Sequence, residues 1–478
     1  MAETKREIER KYEADDSGLP DLTGVGGVAA VLDRGLTELD ATYYDTADQR
    51  LAAASVTLRR RTGGADAGWH LKLPVARDVR DEIRAPLSDT LPTELAALVR
   101  SRVRGAELVP LVRLRTARSV RHLVDADGAL LAEASVDAVT AERLTTPGRT
   151  EKWTEIELEL ADGGDPAFLD RVEKRLVKAG VRPSAAPSKL ARALAATGTR
   201  RRPAAPAEPV TAGDHVLAYL RAQRDALVAL DPAVRLDTPD TVHRMRVATR
   251  RARGTLRTFR AVLDRAATDP VAAELKWLAG ELGVDRDQEV LADRLTAWAR
   301  ARRGGAHGHL TGVLDSPRHL ALLNSLDALL ADPPLREAAA RKPRKVLGKA
   351  VRKDLSRLTT LVERALRLPP GEERDLALHE ARKKAKRARY AAEAATPALG
   401  APAAALTAAM KSLTTLLGDH QDSVMARKAL RELAAVAHAA GESAFPYGVL
   451  HGREEARAAA AEAELPGRWR EAGARFLR

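Results

Sequence analysis

The chain contains no cysteine, so neither disulfides nor thiolate-held metals contribute to it. Aromatic residues make up only 3% of the 478 residues, too few for the stacking platforms on which single-stranded nucleic acids are held. No apolar run approaches the roughly 18 residues that a membrane-spanning helix requires. The opening segment Met1-Ala2-Glu3-Thr4-Lys5-Arg6 has no apolar signal core, so a cytoplasmic location is expected. Walker loops, Rossmann glycine fingerprints and nucleophile elbows are missing too. What is abundant is charge. Lys and Arg number 79 against 66 Asp and Glu, a formal balance of +13 that calls for an anionic partner.

Two segments alternate carboxylates with apolar residues: Glu7-Ile8-Glu9-Arg10-Lys11 and Glu155-Ile156-Glu157-Leu158-Glu159-Leu160. Strand side chains alternate between faces, so each segment presents its acids together. Between them lie basic pairs at the same spacing, Arg59 with Arg61 and Arg113 with Arg115, and Lys72 within Leu71-Lys72-Leu73. Acids and bases so arranged suggest a sheet closed around a polar interior able to hold a polyanion and its metal ions. Like charges turned inward repel unless a counter-ion intervenes. Carboxylates without His or Cys favour Mg²⁺ or Mn²⁺ over zinc.

Up to about residue 198 the chain alternates short strand-like runs with turn signals. The runs are Thr42–Asp45, Val56–Arg59, Trp69–Leu73, Asp81–Arg84, Leu114–Val124 and Leu130–Val139, and helical patterns interrupt them at Leu91–Val103 and Pro166–Lys178. This predicts an antiparallel α+β domain over 1–198 with enough strands to close a barrel. A Pro- and Arg-rich stretch predicts a linker over 199–212. From 213 to 478 the pattern is helical, with β-branched runs absent, and predicts an all-α domain.

The helical half repeats itself. His243-x-x-Arg246-x-x-x-Arg250-x-x-Arg253 recurs as His379-x-x-Arg382-x-x-x-Lys386-x-x-Arg389, and a Leu-Gly pair follows each, Leu282-Gly283 and Leu417-Gly418. A duplicated helical hairpin accounts for both. Positions i, i+3, i+7 and i+10 fall within roughly an 80° arc of a helix, so each repeat offers one histidine and three cations along a stripe suited to phosphate oxygens. Met245, Ala252, Leu256 and Phe259 take the opposite, core-facing side. His307 and His309 are expected in a flexible loop. Asp419-His420-Gln421-Asp422 reads equally as a ligand set or as hydrogen bonding at a helix end, and Asp285-Arg286-Asp287 takes its place in the first repeat.

On these motifs residues 1 to about 198 resemble the CYTH superfamily of triphosphate tunnel metalloenzymes. The resemblance rests on Glu7 to Lys11, Tyr43-Tyr44-Asp45-Thr46, Leu58 to Arg61, Trp69 to Pro74, Arg80 to Arg84, Arg113-Leu114-Arg115, Glu155 to Leu160 and Ser188-Lys189-Leu190. Residues from about 210 resemble the CHAD domain in both repeats. The resemblance implies an eight-stranded antiparallel tunnel with flanking helices, followed by two pseudo-symmetric four-helix bundles. It implies Mg²⁺- or Mn²⁺-dependent triphosphate hydrolysis, with Glu7, Glu9, Lys11 and Lys72 catalytic and metal held by Glu7, Glu9, Asp137, Glu155, Glu157 and Glu159. Arg59, Arg61, Arg84, Arg113, Arg115 and Lys189 would grip the substrate. Inorganic polyphosphate would bind to His243, Arg246, Arg250, Arg253, His379, Arg382, Lys386 and Arg389, and association with polyphosphate granules would follow. Nucleic acid is a disfavoured partner and no membrane is expected. An adenylate cyclase and a non-catalytic polyphosphate-binding scaffold stand as the alternatives.

Overall fold

In the computed structural model, residues 3–14, 18–145, 149–197, 208–292 and 298–474 are described, without the side chains of 284–306 and of those beyond 472. The chain divides into two compact units, Met1–Pro206 and Ala207–Arg478. Most of the expected linker falls on residues outside the described ones.

In the first unit the strands are β1 (Glu3–Ala14), β2 (Ala30–Thr46), β3 (Thr57–Thr62), β4 (Gly68–Ala76), β5 (Val79–Ala85), β6 (Leu108–Val124), β7 (Leu130–Arg143), β8 (Thr150–Leu160) and the two-residue β9 (Arg182–Pro183). The helices are α1 (Arg50–Ala53), α2 (Thr93–Val103), α3 (Ala167–Lys178) and α4 (Lys189–Ala196). Eight strands run antiparallel in the order β5-β4-β3-β2-β6-β7-β8-β1, and a further pairing of β1 with β5 closes the sheet. The first half of β1, Glu3–Ile8, pairs with β5, and its second half, Glu9–Ala14, pairs with β8. The expected eight-stranded tunnel is there, with β9 attached to β1.

Closure turns the usual pattern inside out. Around the cavity, apolar residues such as Leu58, Leu71 and Ile156 face outward under helices, and the lining charges face the interior. Leu58, Leu71 and Ile83 pack beneath Leu95, Leu98 and Val99 of α2, while Tyr12, Ile156 and Leu158 pack beneath Phe168, Val172 and Leu176 of α3. Burying each Leu or Phe contributes ~1.5–3 kcal/mol, which fixes the outer face and so commits the charged face inward. Two short helices absent from the periodicity complete the unit. The buried Asp45 carboxylate accepts from the backbone N–H of Thr46, Leu51 and Ala52 at 2.7, 2.8 and 2.8 Å, which sets the start of α1. Ser188 Oγ accepts from Ala191 N–H at 3.1 Å and caps α4. Leu190, Ala193 and Leu194 of α4 then pack against Leu114, Val139 and Trp153. Also unforeseen is the early start of β2 at Ala30, because a bulge between Asp33 and Gly35 disrupts the alternation there.

The second unit is helical: α5 (Ala212–Arg235), α6 (Thr241–Thr258), α7 (Arg265–Ala292), α8 (Trp298–Asp315), α9 (Pro317–Ala331), α10 (Pro343–Arg367), α11 (Glu372–Leu399), α12 (Ala401–Ala439) and α13 (Phe445–Ala474). A capping box between Thr211 and Asp214 starts α5. Helices α5 to α8 pack in sequence, as do α10 to α13, and α9 packs against α5, α7 and α8 of the first set. One apolar core runs through both sets, and α6 packs on α11. Met245, Ala252, Leu256 and Phe259 are buried, as the helical period requires. Two expectations are corrected. His307 and His309 lie within α8, since the glycines around them do not break the helix. Asp419 to Asp422 lie in the middle of the 39-residue α12, not at a helix end. The side chains of Asp285, Arg286 and Asp287 lie outside the described residues.

Candidate functional sites

Residues directly opposite in antiparallel strands share a face, so the register alone carries one inward set around the barrel. Tyr43 stands opposite Arg59, Arg59 opposite His70, and His70 opposite Arg84. Lys72 faces Glu82, Lys11 faces Glu157, and Glu9 faces Glu159. Asp137 stands opposite both Arg118 and Glu155. The cavity so formed is lined by Glu7, Glu9, Lys11, Arg59, Arg61, Lys72, Arg84, Glu157, Glu159 and Lys189, all singled out from sequence, together with Tyr43, Asp66, Arg80, Glu82 and Arg118, which were not.

Each acid in the cavity is answered by a cation. Lys72 Nζ lies 2.5 Å from Glu7 Oε2, Lys11 Nζ is 3.1 Å from Glu9 Oε2 and also pairs with Glu157, and Arg80 Nε stands 3.5 Å from Glu9 Oε1. Burial pushes the Glu7 carboxyl up to about 7, an effect that Lys72 only partly offsets. Burial also opposes ionisation of Glu9, but Lys11 and Lys72 outweigh it and hold this group at about 2. Glu82 is the internal anchor. It accepts from Arg84 Nε at 2.5 Å, contacts His70 Nδ1 at 3.0 Å and lies 3.5 Å from Arg59. Against the cost of burial, His70, Lys72 and Arg59 keep it ionised far below the carboxylate range. His70 is pulled down to about 4 by burial and stays neutral near pH 7. Its Nε2 reaches the backbone oxygen of Asp66 at 2.8 Å. Arg59 donates to Tyr43 Oη at 3.2 Å, and Arg61 pairs with Asp66.

Asp137 and Glu155 occupy a deeper place than expected. Their oxygens and that of Glu157 converge within 4.8 Å, but Lys189 Nζ sits among them at 2.8, 2.9 and 2.6 Å. Arg118 adds bonds of 2.6 Å to Asp137 and to Glu157. An ammonium thus already occupies the centre of this acidic trio. Of the expected metal ligands, Glu7, Glu9, Glu157 and Glu159 on the paired strands β1 and β8 line the cavity, Glu157 being shared with the trio. All four supply oxygen alone, which fits a hard divalent ion.

Arg113 and Arg115 are not brought to the tunnel. They lie on the outward face, where Arg113 pairs with Asp40 at 2.5 Å and Arg115 is mostly exposed between Asp40 and Glu142. The inward face of β6 is carried by Leu114, Thr116 and Arg118. A period of two says that Arg113 and Arg115 share a face, and the register decides which one.

The helical unit has a groove of about 570 Å³ between α6, α7 and α11. Arg246, Arg250, Arg253 and Lys386 of the predicted stripes line it, joined by Arg257, Lys276, Lys383, Lys384 and Arg387, with Glu380 as the acid among them. Burial, compounded by Arg250, Arg382, Arg246 and Arg389, pulls the Lys386 ammonium down to about 7. His379, Arg382 and Arg389 lie beside the groove. His379 Nδ1 contacts Gln421 Oε1 at 2.6 Å, Arg382 rests on α12 at Gly418, and Arg389 stacks on Tyr390 at 4.9 Å. His243 sits on α6 in the first repeat but is not part of the groove lining. The additional lysines on the α11 face were legible only as a run of charge.

Comparison with known proteins matches residues 5–193 to the CYTH domain and residues 218–431 to the CHAD domain. An uncharacterized protein of Mycobacterium tuberculosis (strain CDC 1551 / Oshkosh) is 39% identical over 495 aligned positions, spanning 94% of this chain and 92% of the relative. Its counterpart in strain ATCC 25618 / H37Rv matches to the same extent. PptA from Streptomyces chartreusis superposes with a TM-score of 0.44 at 24% identity, over 55% of this chain and 100% of that one. The CHAD domain from the plant Ricinus communis gives a TM-score of 0.42 at 25% identity, over 55% and 91%.

Proposed function

The chain belongs to the proteins that join a CYTH domain to a CHAD domain, and from this membership and the barrel's geometry we propose that it hydrolyses the terminal phosphoanhydride of a triphosphate, inorganic triphosphate foremost, and binds inorganic polyphosphate along its helical unit. One observation carries the first part. Within a single closed barrel, acids from β1 and β8 face cations from β3 to β6 across one cavity.

The cations do the binding. Arg59, Arg61, Arg84 and Arg118 offer planar forks to phosphate oxygens, and Lys72 and Lys11 add point charges. Glu82 holds Arg84, Arg59 and Lys72 in place before substrate arrives, so little reorganisation accompanies charge development on the transferred phosphoryl group. Glu7, Glu9, Glu157 and Glu159 would hold Mg²⁺ or Mn²⁺, which supplies Lewis-acid neutralisation of the phosphate tail and lowers the pKa of water. Apart from Tyr43, Thr57 and Ser188 the described lining is charged throughout, which is why the linear substrate leads.

The second part rests on the groove, where among the described residues nine cations face a single acid that is itself paired with Lys383 at 2.7 Å. A linear polyanion neutralises such a row along its length. We place the protein in the cytoplasm at polyphosphate-rich bodies; among the described residues no helix is long and apolar enough to cross a membrane.

The test is a phosphate-release screen with inorganic triphosphate, ATP and thiamine triphosphate, each with Mg²⁺, Mn²⁺ or a chelator. Release from triphosphate that a chelator abolishes is expected, and its absence with every metal removes the proposal. Polyphosphate binding by the full chain should weaken steeply with salt, as counter-ion release requires. Preference for DNA at equal phosphate concentration would assign the groove to another partner.

A further inference from the structure

Outside both sites, three helices of the second unit bring together a nitrogen and two carboxylates. Asp375 lies in the first turn of α11, His420 in the middle of α12 and Glu462 in the second half of α13. His420 is 2% exposed. Its Nε2 stands 3.3 Å from Asp375 Oδ1 and 3.1 Å from Glu462 Oε1, and the three donor atoms fall within 4.8 Å of one another. Donors about 2.1 Å from a common ion stand about 3.0–3.4 Å apart in octahedral or tetrahedral arrangement.

The outer oxygens of both carboxylates are already engaged. Arg427 donates to Asp375 Oδ2 at 3.1 Å, and Arg374 Nε lies 3.2 Å from Glu462 Oε2. Each arginine fixes its carboxylate's rotation and leaves the inner oxygen directed at His420. This is the division of labour found at metal centres, where outer partners orient the ligands. A lone N–H on Nε2 can point well at only one of the two inner oxygens. A divalent cation satisfies all three donors at once. We infer that Asp375, His420 and Glu462 form a binding site for a first-row divalent cation of the Mn²⁺ to Zn²⁺ series, distinct from the hard-ion set of the barrel. One imidazole with two carboxylates suits these ions better than Mg²⁺ or Ca²⁺.

Such an ion would staple α11, α12 and α13 in the half of the unit that carries the second cationic stripe. The next residue, Gln421, holds His379 of that stripe, so the position of α12 is transmitted to the groove's edge in a single residue step. Full-length protein stripped with a chelator is titrated with Zn²⁺, Mn²⁺ and Co²⁺ alone, and crystals soaked in Zn²⁺ are measured at the zinc absorption edge. The expected result is an anomalous peak about 2.1 Å from His420 Nε2. Co²⁺ absorption bands should also appear in the wild type, and His420→Gln should lose them. An anomalous map without a peak at His420 overturns the inference whatever the variant does. So does a Co²⁺ spectrum unchanged by His420→Gln, and either leaves a histidine held between two carboxylates.

Discussion

Gly418 of α12 lies directly against the guanidinium of Arg382 on α11: a Cβ at this position would stand 3.2 Å from Arg382 Nη2. The first repeat contains the same relationship, with the Cβ of a residue at position 283 standing 3.1 Å from Arg246 Nη2. The Leu-Gly pair that follows each histidine motif therefore admits the arginine of that motif onto the facing helix. Neither glycine has a left-handed backbone, so the requirement is for space and not for conformation.

Gly418→Ala should separate stability from binding. Alanine is favoured over glycine inside a helix by about 0.8–1 kcal/mol, so the melting temperature should hold or rise. The added methyl displaces Arg382, and polyphosphate affinity should fall by roughly tenfold, a loss of about 1.4 kcal/mol. Unchanged affinity in a binding titration would show that Arg382 does not engage the polyanion.

Lys386 makes polyphosphate binding depend on pH. Its folded-state value of about 7 lies below the usual 10.5, so the free protein carries it mostly neutral above pH 7. A bound polyanion favours the charged form, so binding takes up a proton there. Affinity should be highest below pH 7 and fall by up to about tenfold per unit above it. Lys386→Arg, which keeps its charge, should flatten the profile. For stability the sign is opposite: the unfolded chain binds more protons between about 7 and 10.5, so this group's contribution improves as pH rises through that window.

Glu9→Gln should abolish most turnover without unfolding the barrel. Lys11 retains Glu157 and Lys72 retains Glu7, so neither ammonium is stranded. Losing one charge from the proposed hard-ion set removes several kcal/mol of Lewis-acid stabilisation, a fall in phosphate release of about 100-fold or more. Activity within a few-fold of wild type, with an unchanged thermal melt, would reassign Glu9.

Arg118→Ala and Arg113→Ala should differ sharply although both sit on β6. Arg118 lines the cavity, and removing a charge-assisted clamp of ~1.5–3 kcal/mol should lower kcat/KM by about 10- to 100-fold. Arg113 faces outward against Asp40, and its replacement should leave steady-state kinetics within about twofold, as for an exposed ion pair. Equal losses in the two variants would mean that the inward face of β6 has been misassigned.

Much of this was legible from spacing alone. The alternation around Glu7, Glu157 and Arg59 identifies shared faces, and the 3.6-residue period correctly buried Met245 and Phe259. What spacing cannot supply is the choice between faces, which is why Arg113 and Arg115 were expected inside. Arg118 was hidden because its inward neighbours Leu114 and Thr116 carry no charge to mark the register. Glu82 and Arg80 stood in a recognised motif, but Glu82 acts through the register of β5 on β4 and Arg80 through closure of β1 on β5. One of the two readings of Asp419 to Asp422 set them at a helix end, but α12 runs unbroken through them. The α11 lysines beyond the stripe, Lys383 and Lys384, line the groove because α6 and α7 supply its other walls, a tertiary fact.

Strand β1 has to wait. It holds Glu7, Glu9 and Lys11, yet Glu9 pairs with Glu159 and Lys11 with Glu157, some 150 positions later in the chain. At a synthesis rate of about 5–20 residues per second, roughly 10–30 s separate the emergence of the two partners from the ribosome. Before the later partners emerge the nascent chain can bury the outward faces of β3 to β5 beneath α2 but cannot assemble the acidic half of the cavity. The acidic half of the cavity is therefore completed late, when the earliest strand is stitched between the fifth and the eighth. Incomplete chains contain the cations of β3 to β6 but not the acids of β8 that pair with β1.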